Sequence, residues 1–194
     1  MASWPDNPFL LFQKWLEEAI HAEIPEANAM VLSTSGADGK PSSRVVLLKE
    51  YSEAEGFIFY TNYSSRKAKD LAINPYASLH FFWREKEQQI MIEGRVEKTS
   101  PEKSSDYFDS RPINSKISAI ISPQSKVINS LAELKKQREE LLARPDNIKR
   151  PPYWGGYKLV ANKFEFWQGG QYRLHRRVIY YYEIGNWKST KLAP

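Results

Sequence analysis

The sequence predicts an α+β fold, mainly antiparallel β with peripheral helices, and three observations carry that reading. Short apolar or alternating stretches recur from residue 29 to the C-terminus. Helical spacing is confined to a few segments between them, and most connections are too short for parallel crossovers. A chain of 194 residues suits one domain, at roughly 100–200 residues per domain. We therefore read 1–194 as a single domain, with 1–7 flexible and 153–194 a closing run of strands.

Asn7-Pro8 supplies an N-cap and a first-turn proline. Phe9, Phe12, Trp15, Leu16, Ala19 and Ile20 then recur at helical spacing, which predicts a helix over 8–21. Strands are expected at 29–34, 43–49 and 56–61, the first two separated by the turn cluster Gly36-Ala37-Asp38-Gly39-Lys40-Pro41. Residues 64–73 carry helical spacing and stop at Asn74-Pro75. Two long strands, 76–84 and 88–98, flank Glu85-Lys86-Glu87. Ser100-Pro101 opens a short helix ending near Arg111-Pro112, 113–121 form another, and 131–142 form a charged helix with Leu131, Leu134, Leu141 and Leu142 along one side. After a polar loop over 144–152, strands are expected at 154–160, 164–168 and 178–183, and Gly185-Asn186 turns the chain into 187–191. That makes about eight strands, and closing them into a barrel would remove exposed edges.

Composition excludes several chemistries. There is no cysteine, hence no disulfide, thiolate metal site or cysteine nucleophile, which suits a reducing cytoplasm. No apolar run approaches the ~20 residues of a membrane span, and Met1 to Asp6 lack signal-peptide character, so a cytoplasmic protein with no membrane partner is expected. The net charge of +5 raises nucleic acid as a partner. However, Lys and Arg are interleaved with Asp and Glu, and small phosphorylated ligands explain clefted arginines equally well; no nucleic-acid partner is expected. No Rossmann, P-loop or Gly-x-Ser-x-Gly motif is present, and His21, His80 and His175 lack metal-ligand spacing. What remains is a set of clusters suited to anions and flat rings.

In the first, Arg44-Val45-Val46-Leu47-Leu48-Lys49, strand alternation puts Arg44 and Lys49 on opposite faces, able to serve two sites; a half-buried strand with charged ends fits the same pattern. The second, Tyr60-Thr61-Asn62-Tyr63-Ser64-Ser65-Arg66-Lys67, sets hydroxyls and two cations at a helix start, which is either an anion site or a solvated helix end. The third joins Tyr107, Arg111, Asn114 and Ser115, with Tyr107 and Arg111 on one helical face. Gln124-Ser125 adds little alone. The most specific cluster is Trp154-Gly155-Gly156-Tyr157 with the stretch from Glu165 to Arg177. There Arg173, His175 and Arg177 alternate, so an extended segment would aim three cations one way and require an anionic or electron-rich partner.

On these residues the chain resembles the pyridoxine/pyridoxamine 5'-phosphate oxidase family, from about Pro8 to Pro194. The resemblance implies an FMN-binding split β-barrel homodimer, with 153–194 supplying dimerisation and substrate-site strands. It implies oxidation of either phosphate ester to pyridoxal 5'-phosphate by hydride transfer to FMN, with O2 as acceptor and H2O2 as product. Arg44 and Lys67, with Arg66 beside them, would hold the FMN phosphate. Val45, Val46, Leu47, Leu48, Tyr60, Thr61 and Gln89 would line the flavin, and Gln124, Ser125, Trp167 and Arg177 would complete its site from the partner subunit. Lys49, Tyr107, Arg111 and Ser115 would bind the substrate phosphate, with Arg173, Leu174 and His175 at its ring and Arg173 and His175 as the catalytic pair. The chain departs from the family pattern in its N-terminal segment, at Arg176 where the family has Asp, and at Glu26, which corresponds to a shorter acidic residue. By alternation Arg176 points away from Arg173 and His175. A related split-barrel oxidase of a phenazine precursor, or a flavin- or pyridoxal-phosphate-binding protein without turnover, are the alternatives.

Overall fold

The computed structural model describes residues 4–194. Helix α1 (Pro8–His21) starts where the sequence marks it: the Asn7 side chain accepts from the Phe9 N–H at 2.8 Å, and Pro8 occupies the first turn. Its apolar face, including Phe9, Phe12, Trp15 and Leu16, is buried. Phe12 meets Tyr51, Phe57 and Phe81 edge-on at 4.8–5.3 Å between centroids, a favoured aromatic geometry.

Nine strands follow: β1 (Ala29–Ser35), β2 (Pro41–Leu47), β3 (Glu50–Ser52), β4 (Gly56–Asn62), β5 (Tyr76–Trp83), β6 (Gln88–Lys98), β7 (Trp154–Gln168), β8 (Arg176–Glu183) and β9 (Asn186–Leu192). Between them lie α2 (Arg66–Ile73), α3 (Pro101–Ser110), α4 (Ile113–Ile121) and α5 (Leu131–Leu142). Every pairing is antiparallel. The order is β2-β1-β5-β6-β7-β4-β3, with β8 on β7 and β9 on β8. The two ends of that order are consecutive in the chain, because β2 runs through Leu48-Lys49 into β3. At this corner the Leu48 N–H donates to Asn28 O and the Lys49 N–H to Ile58 O, both at 2.9 Å. The sheet therefore comes round on itself, and its two outer edges become one bent strand. No helix among the described residues is long and apolar enough to cross a membrane.

Strand β7 explains why the barrel is split. It pairs with β6 along its length, with β4 from Trp154 to Leu159, and with β8 from Lys163 onward. The β6 register shifts between Glu93 and Gly94, where the change of partner occurs. A Cβ on Gly94 would sit 2.1 Å from Val160 O, so the close approach there requires glycine.

Most element boundaries agree with the sequence reading, and three differences have physical causes. The strands expected at 154–160 and 164–168 are one, because the backbone stays paired with β6 across the bulge. Strand β3 is an extra, three-residue element between the strands expected at 43–49 and 56–61. The hairpin turn is Ile184-Gly185, not Gly185-Asn186: φ is 49° and 80° at the two central residues, and Glu183 pairs with Asn186. Of the stretch expected to be flexible, residues 1–3 lie outside the described residues. Trp4 packs edge-on against Trp15 at 6.1 Å, and Tyr180 Oη donates to Pro5 O at 2.7 Å.

Ile184 is 95% exposed and β-branched at a left-handed φ of 49°, a conformation costing about 1–2 kcal/mol for an L-residue. Asn-Gly is the favoured pair for such a turn. Ile184→Asn should therefore raise the unfolding free energy by about 1 kcal/mol in urea titrations. A lowered midpoint at unchanged slope would contradict the turn assignment.

Candidate functional site

A cavity of about 870 Å³ opens between β2, β4, the start of α2, α3, α4 and the loop after α4. One side is organised around buried positive charge. Arg44 on β2 donates to Leu32 O (3.1 Å), Thr34 Oγ1 (2.7 Å) and Ser42 Oγ (2.8 Å), and lies 3.8 Å from the Asp70 carboxylate. Thr34 in turn donates to Asp70 at 2.8 Å, so the guanidinium is fixed by a closed network. Burial lowers the Arg44 pKa, Asp70 offsets this, and Arg66 lowers it further; arginine nevertheless stays charged.

Lys67, in the first turn of α2, is buried and has no carboxylate. Its Nζ donates to Gln124 Oε1 (2.8 Å), Thr61 Oγ1 (3.0 Å) and Ser65 Oγ (3.2 Å). Burial first, then the Arg44 charge, lowers its pKa to about 8. Ser65 stands at the N-cap of α2 but makes no capping bond with its side chain; its hydroxyl accepts from Lys67 instead. A buried cation held only by neutral dipoles is costly until an anion arrives.

The other side is aromatic. The rings of Tyr60 and Tyr107 stack at 3.8 Å and 16°, and Tyr60 lies 5.6 Å from Trp154 at 14°. The Arg111 guanidinium sits 4.7 Å from the Trp154 ring centroid. Tyr60 Oη and Arg111 Nη1 are buried without a hydrogen-bond partner. Burial, then Glu50, pushes the Tyr60 phenol up to about 12, so it keeps its proton. Burial lowers the Arg111 pKa, and Tyr107 opposes that. Orphaned buried donors are rare, and two on one wall suit an acceptor-rich ligand. Lys49 and Ser115 line the same cavity.

Arg44, Val45, Val46, Leu47, Lys49, Tyr60, Thr61, Arg66, Lys67, Tyr107, Arg111, Ser115, Gln124 and Ser125 thus share one cavity. Arg44 and Lys49 do not serve opposite faces as alternation predicted, because the strand ends at Leu47 and the chain turns the corner into β3. At that corner Leu48 points into the core, 4% exposed, and does not line the cavity. Gln124 and Ser125, expected from a partner subunit, line this chain's own cavity, with Gln124 bonded to Lys67 and Thr61.

Gln89, Trp167, Arg173, Leu174, His175 and Arg177 lie outside that cavity's lining. Gln89, Trp167 and Arg177 are in register across β6, β7 and β8, forming one row. Arg177 donates to Glu165 Oε1 through Nε (3.0 Å) and Nη2 (2.6 Å), and to Ala193 O at 3.0 Å. The His175 ring is 4.7 Å from that of Trp167. The expected alternation of Arg173, His175 and Arg177 fails: residues Gln171–Arg173 form a tight helical turn with φ of 56° at Tyr172 and 65° at Arg173, and the strand begins only at Arg176. Glu165 supplies the counter-charge for Arg177. Arg176 is exposed, with its guanidinium 4.7 Å from the Trp4 ring centroid. Glu26 is exposed at φ 48° and lies outside the cavity lining. Sequence reasoning missed Asp70 as a holder of Arg44, since nothing local links the two, and also missed Ser42, which strand alternation places two residues away on the same face. It quoted Trp154 without giving it the role of ring platform.

A split antiparallel barrel whose cavity joins buried cations to stacked aromatic rings defines a class of site suited to anionic and flat molecules. Residues 16–144 match the family model for pyridoxamine 5'-phosphate oxidase, and residues 154–194 match that for the pyridoxine 5'-phosphate oxidase C-terminal dimerisation region. The chain belongs to the pyridoxamine 5'-phosphate oxidase family and is an oxidoreductase of that family. It is 50% identical over 192 residues to a pyridoxine/pyridoxamine 5'-phosphate oxidase of Burkholderia vietnamiensis, and 51% over 190 residues to one of Paraburkholderia phymatum. Each alignment covers 97% of this chain and 89% of the relative. The crystal structure of PhzG from Burkholderia lata in complex with tetrahydrophenazine-1-carboxylic acid is similar at a TM-score of 0.93 and 34% identity, covering 98% of this chain and 94% of that one. A pyridoxamine 5'-phosphate oxidase-related, FMN-binding protein from Nostoc punctiforme shares the fold at a TM-score of 0.78 and 15% identity, covering 94% and 97%.

Lys67 gives the ligand-free protein a pH signature. Its folded pKa of about 8 lies below the ordinary 10.5, so the unfolded chain holds the proton more tightly and stability rises with pH above about 8. Tyr60, Tyr157 and Tyr180, each pushed up to about 12 by burial, act in the opposite sense, but only above their ordinary value of 10.0. Urea titrations between about pH 8 and 10 should show a rise that Lys67→Met abolishes. The same rise in both proteins would mean that Lys67 is not the group responsible.

Proposed function

We propose that this chain is an FMN-dependent oxidase converting pyridoxine or pyridoxamine 5'-phosphate to pyridoxal 5'-phosphate, with O2 as acceptor and H2O2 as product. The observation that carries the reading is the pairing of two cationic sets in one cavity, Arg44, Arg66 and Lys67 on one side and Lys49, Tyr107, Arg111 and Ser115 on the other. The donors fit a phosphorylated flavin: Lys67 is buried with no carboxylate, and the cavity wall carries unsatisfied donors. FMN, when bound, supplies the hydride-accepting ring.

This chain's residues supply position and charge. Arg44, Arg66 and Lys67 hold the FMN phosphate. Val45, Val46, Leu47, Tyr60, Thr61, Gln124 and Ser125 line its ring. Lys49, Tyr107, Arg111 and Ser115 take the substrate phosphate. Fixing both molecules by their phosphates sets their rings in register, an effect worth up to roughly 7–11 kcal/mol in well-oriented model reactions. Gln89, Trp167 and Arg177, with Arg173, Leu174 and His175, close the cavity from the second subunit of a homodimer. All six lie outside this chain's own cavity, and all but Gln89 fall within the matched dimerisation region, which supports that assignment. Arg173 orients the substrate ring and stabilises developing charge.

A second reading, a carboxylated tetrahydrophenazine-type substrate, is favoured by the likeness to PhzG, since Arg111 would grip a carboxylate as well as a phosphate. Peroxide release on adding pyridoxine 5'-phosphate, unphosphorylated pyridoxine and a tetrahydrophenazine carboxylate decides between them; only the first should turn over well. Under nitrogen, pyridoxamine 5'-phosphate should bleach the flavin band. A protein that stays colourless with excess FMN refutes both readings, and a coloured protein releasing no peroxide is a binding protein.

Removing a charge-assisted hydrogen bond costs about 1.5–3 kcal/mol. Arg111→Ala should therefore lower kcat/KM for the phosphorylated substrate by roughly 10–100-fold while FMN stays bound. Arg173→Ala should keep its flavin and lose most turnover; unchanged turnover would remove Arg173 from the chemistry.

A further inference from the structure

Helix α3 docks on the start of β7 through small residues. The Gly156 N–H donates to Ser104 Oγ at 3.1 Å, and a Cβ on Gly155 would come within 2.9 Å of that same oxygen. The paired glycines therefore let the helix lie close to the strand. This contact sets the spacing between Arg111, at the C-terminal end of α3, and Trp154, the first residue of β7. Both backbones are pinned. The Arg111 N–H donates to Phe108 O at 3.2 Å, and the Trp154 N–H to Pro151 O at 3.1 Å. Trp154 O accepts from Arg150 Nη1 at 2.8 Å, and Phe108 meets the indole edge-on at 5.4 Å. The Tyr60 and Tyr107 rings lie at 14° and 6° to the indole plane, which keeps it in one orientation.

Arg44, Lys103 and Arg177 each meet a carboxylate. Arg111 is different: burial and Tyr107 act on its charge, and no carboxylate among the described residues does. Its guanidinium lies over the buried Trp154 ring at 4.7 Å, and Nη1 has no partner. The two ways of holding a cation differ in what they leave free. A carboxylate takes two N–H bonds from the guanidinium fork and cancels its charge. An indole attracts the charge through its π face and offers no lone pair to the N–H groups.

We propose that Trp154 is a positioning residue for the second anion site, holding Arg111 by its charge while leaving the N–H fork open for a phosphate monoester. The inference rests on the proposed function only in giving Arg111 the substrate phosphate. The role of Trp154 runs through Arg111, so its loss should matter only where Arg111 is present.

Inorganic phosphate titrated calorimetrically into the FMN-loaded protein reads this site, because FMN fills the Arg44 side. Trp154→Leu should weaken phosphate binding roughly tenfold. In an Arg111→Ala background the same change should cost less than about twofold. Trp154→Phe keeps a weaker π face and should fall between wild type and Trp154→Leu; it carries the same cycle if Trp154→Leu does not fold. A merely structural indole would give losses that add across the two sites. Additive losses, an unchanged affinity in Trp154→Leu, or no phosphate bound by the wild type each overturn the proposal. In turnover, the preference for pyridoxine 5'-phosphate over pyridoxine should shrink in Trp154→Leu by the same factor, and an undiminished preference counts against it. If the wild-type protein releases no peroxide from pyridoxine 5'-phosphate, the substrate reading fails while the phosphate cycle still decides the role of Trp154.

Discussion

Burial of positive charge without matching negative charge is the constraint around which this cavity is built. Lys67 is held by three neutral oxygens, Arg44 shares a single carboxylate with Thr34, and Arg111 leaves a buried nitrogen unsatisfied. Each arrangement costs free energy in the ligand-free protein. In the proposed enzyme a phosphate entering the cavity would remove that cost, so the same residues that weaken the empty protein would strengthen binding. The core must carry the burden meanwhile, and the aromatic cluster around Phe12, Phe57, Phe81 and Phe164 is placed to do so.

The barrel's corner is what brings those charges together. Because β2 turns into β3 at Leu48-Lys49, Leu48 anchors the bend in the core while Arg44 and Lys49 flank one cavity from its two sides. Strand β4 ends at Asn62, and Ser65 stands at the N-cap of α2 three residues later, which delivers Lys67 to the cavity that Arg44 also lines. The loop after α4 then folds Gln124 over Lys67. Strand pairing thus sets charge spacing that no single segment could hold.

Local signals were legible in the sequence. Asn7-Pro8 and Ser100-Pro101 mark helix starts that the structure realises, and the long strand expected at 88–98 after the charged turn Glu85-Lys86-Glu87 is β6 to the residue. Backbone departures from regularity were not legible. The corner at Leu48 reverses a face assignment that alternation alone would make, and the left-handed residues Tyr172 and Arg173 curl a stretch that reads as extended. The long-range pair left no local trace: Asp70 on α2 holds Arg44 on β2, whereas Ser42, two residues before Arg44 on the same strand, lay within local reach. The family resemblance named Gln124 and Ser125 without the wall they form in this chain's own cavity, because a list of residues does not say which walls meet.

Charge and donor counting favour a phosphate over a carboxylate as the second ligand in the proposed enzyme. Lys49 and Arg111 contribute two full charges to one wall, and Tyr107 and Ser115 add hydroxyl donors. A phosphate monoester brings a charge of about −1.5 to −2 near neutral pH and three acceptor oxygens. It can balance both cations and engage all four side chains. A carboxylate brings one charge and two oxygens, which a single guanidinium fork already saturates. Bound that way it would leave the exposed Lys49 to solvent and give Tyr107 and Ser115 no ligand oxygen to donate to. The donor set therefore distinguishes the two ligands by what each would leave unpaired, even where the fold around them is shared.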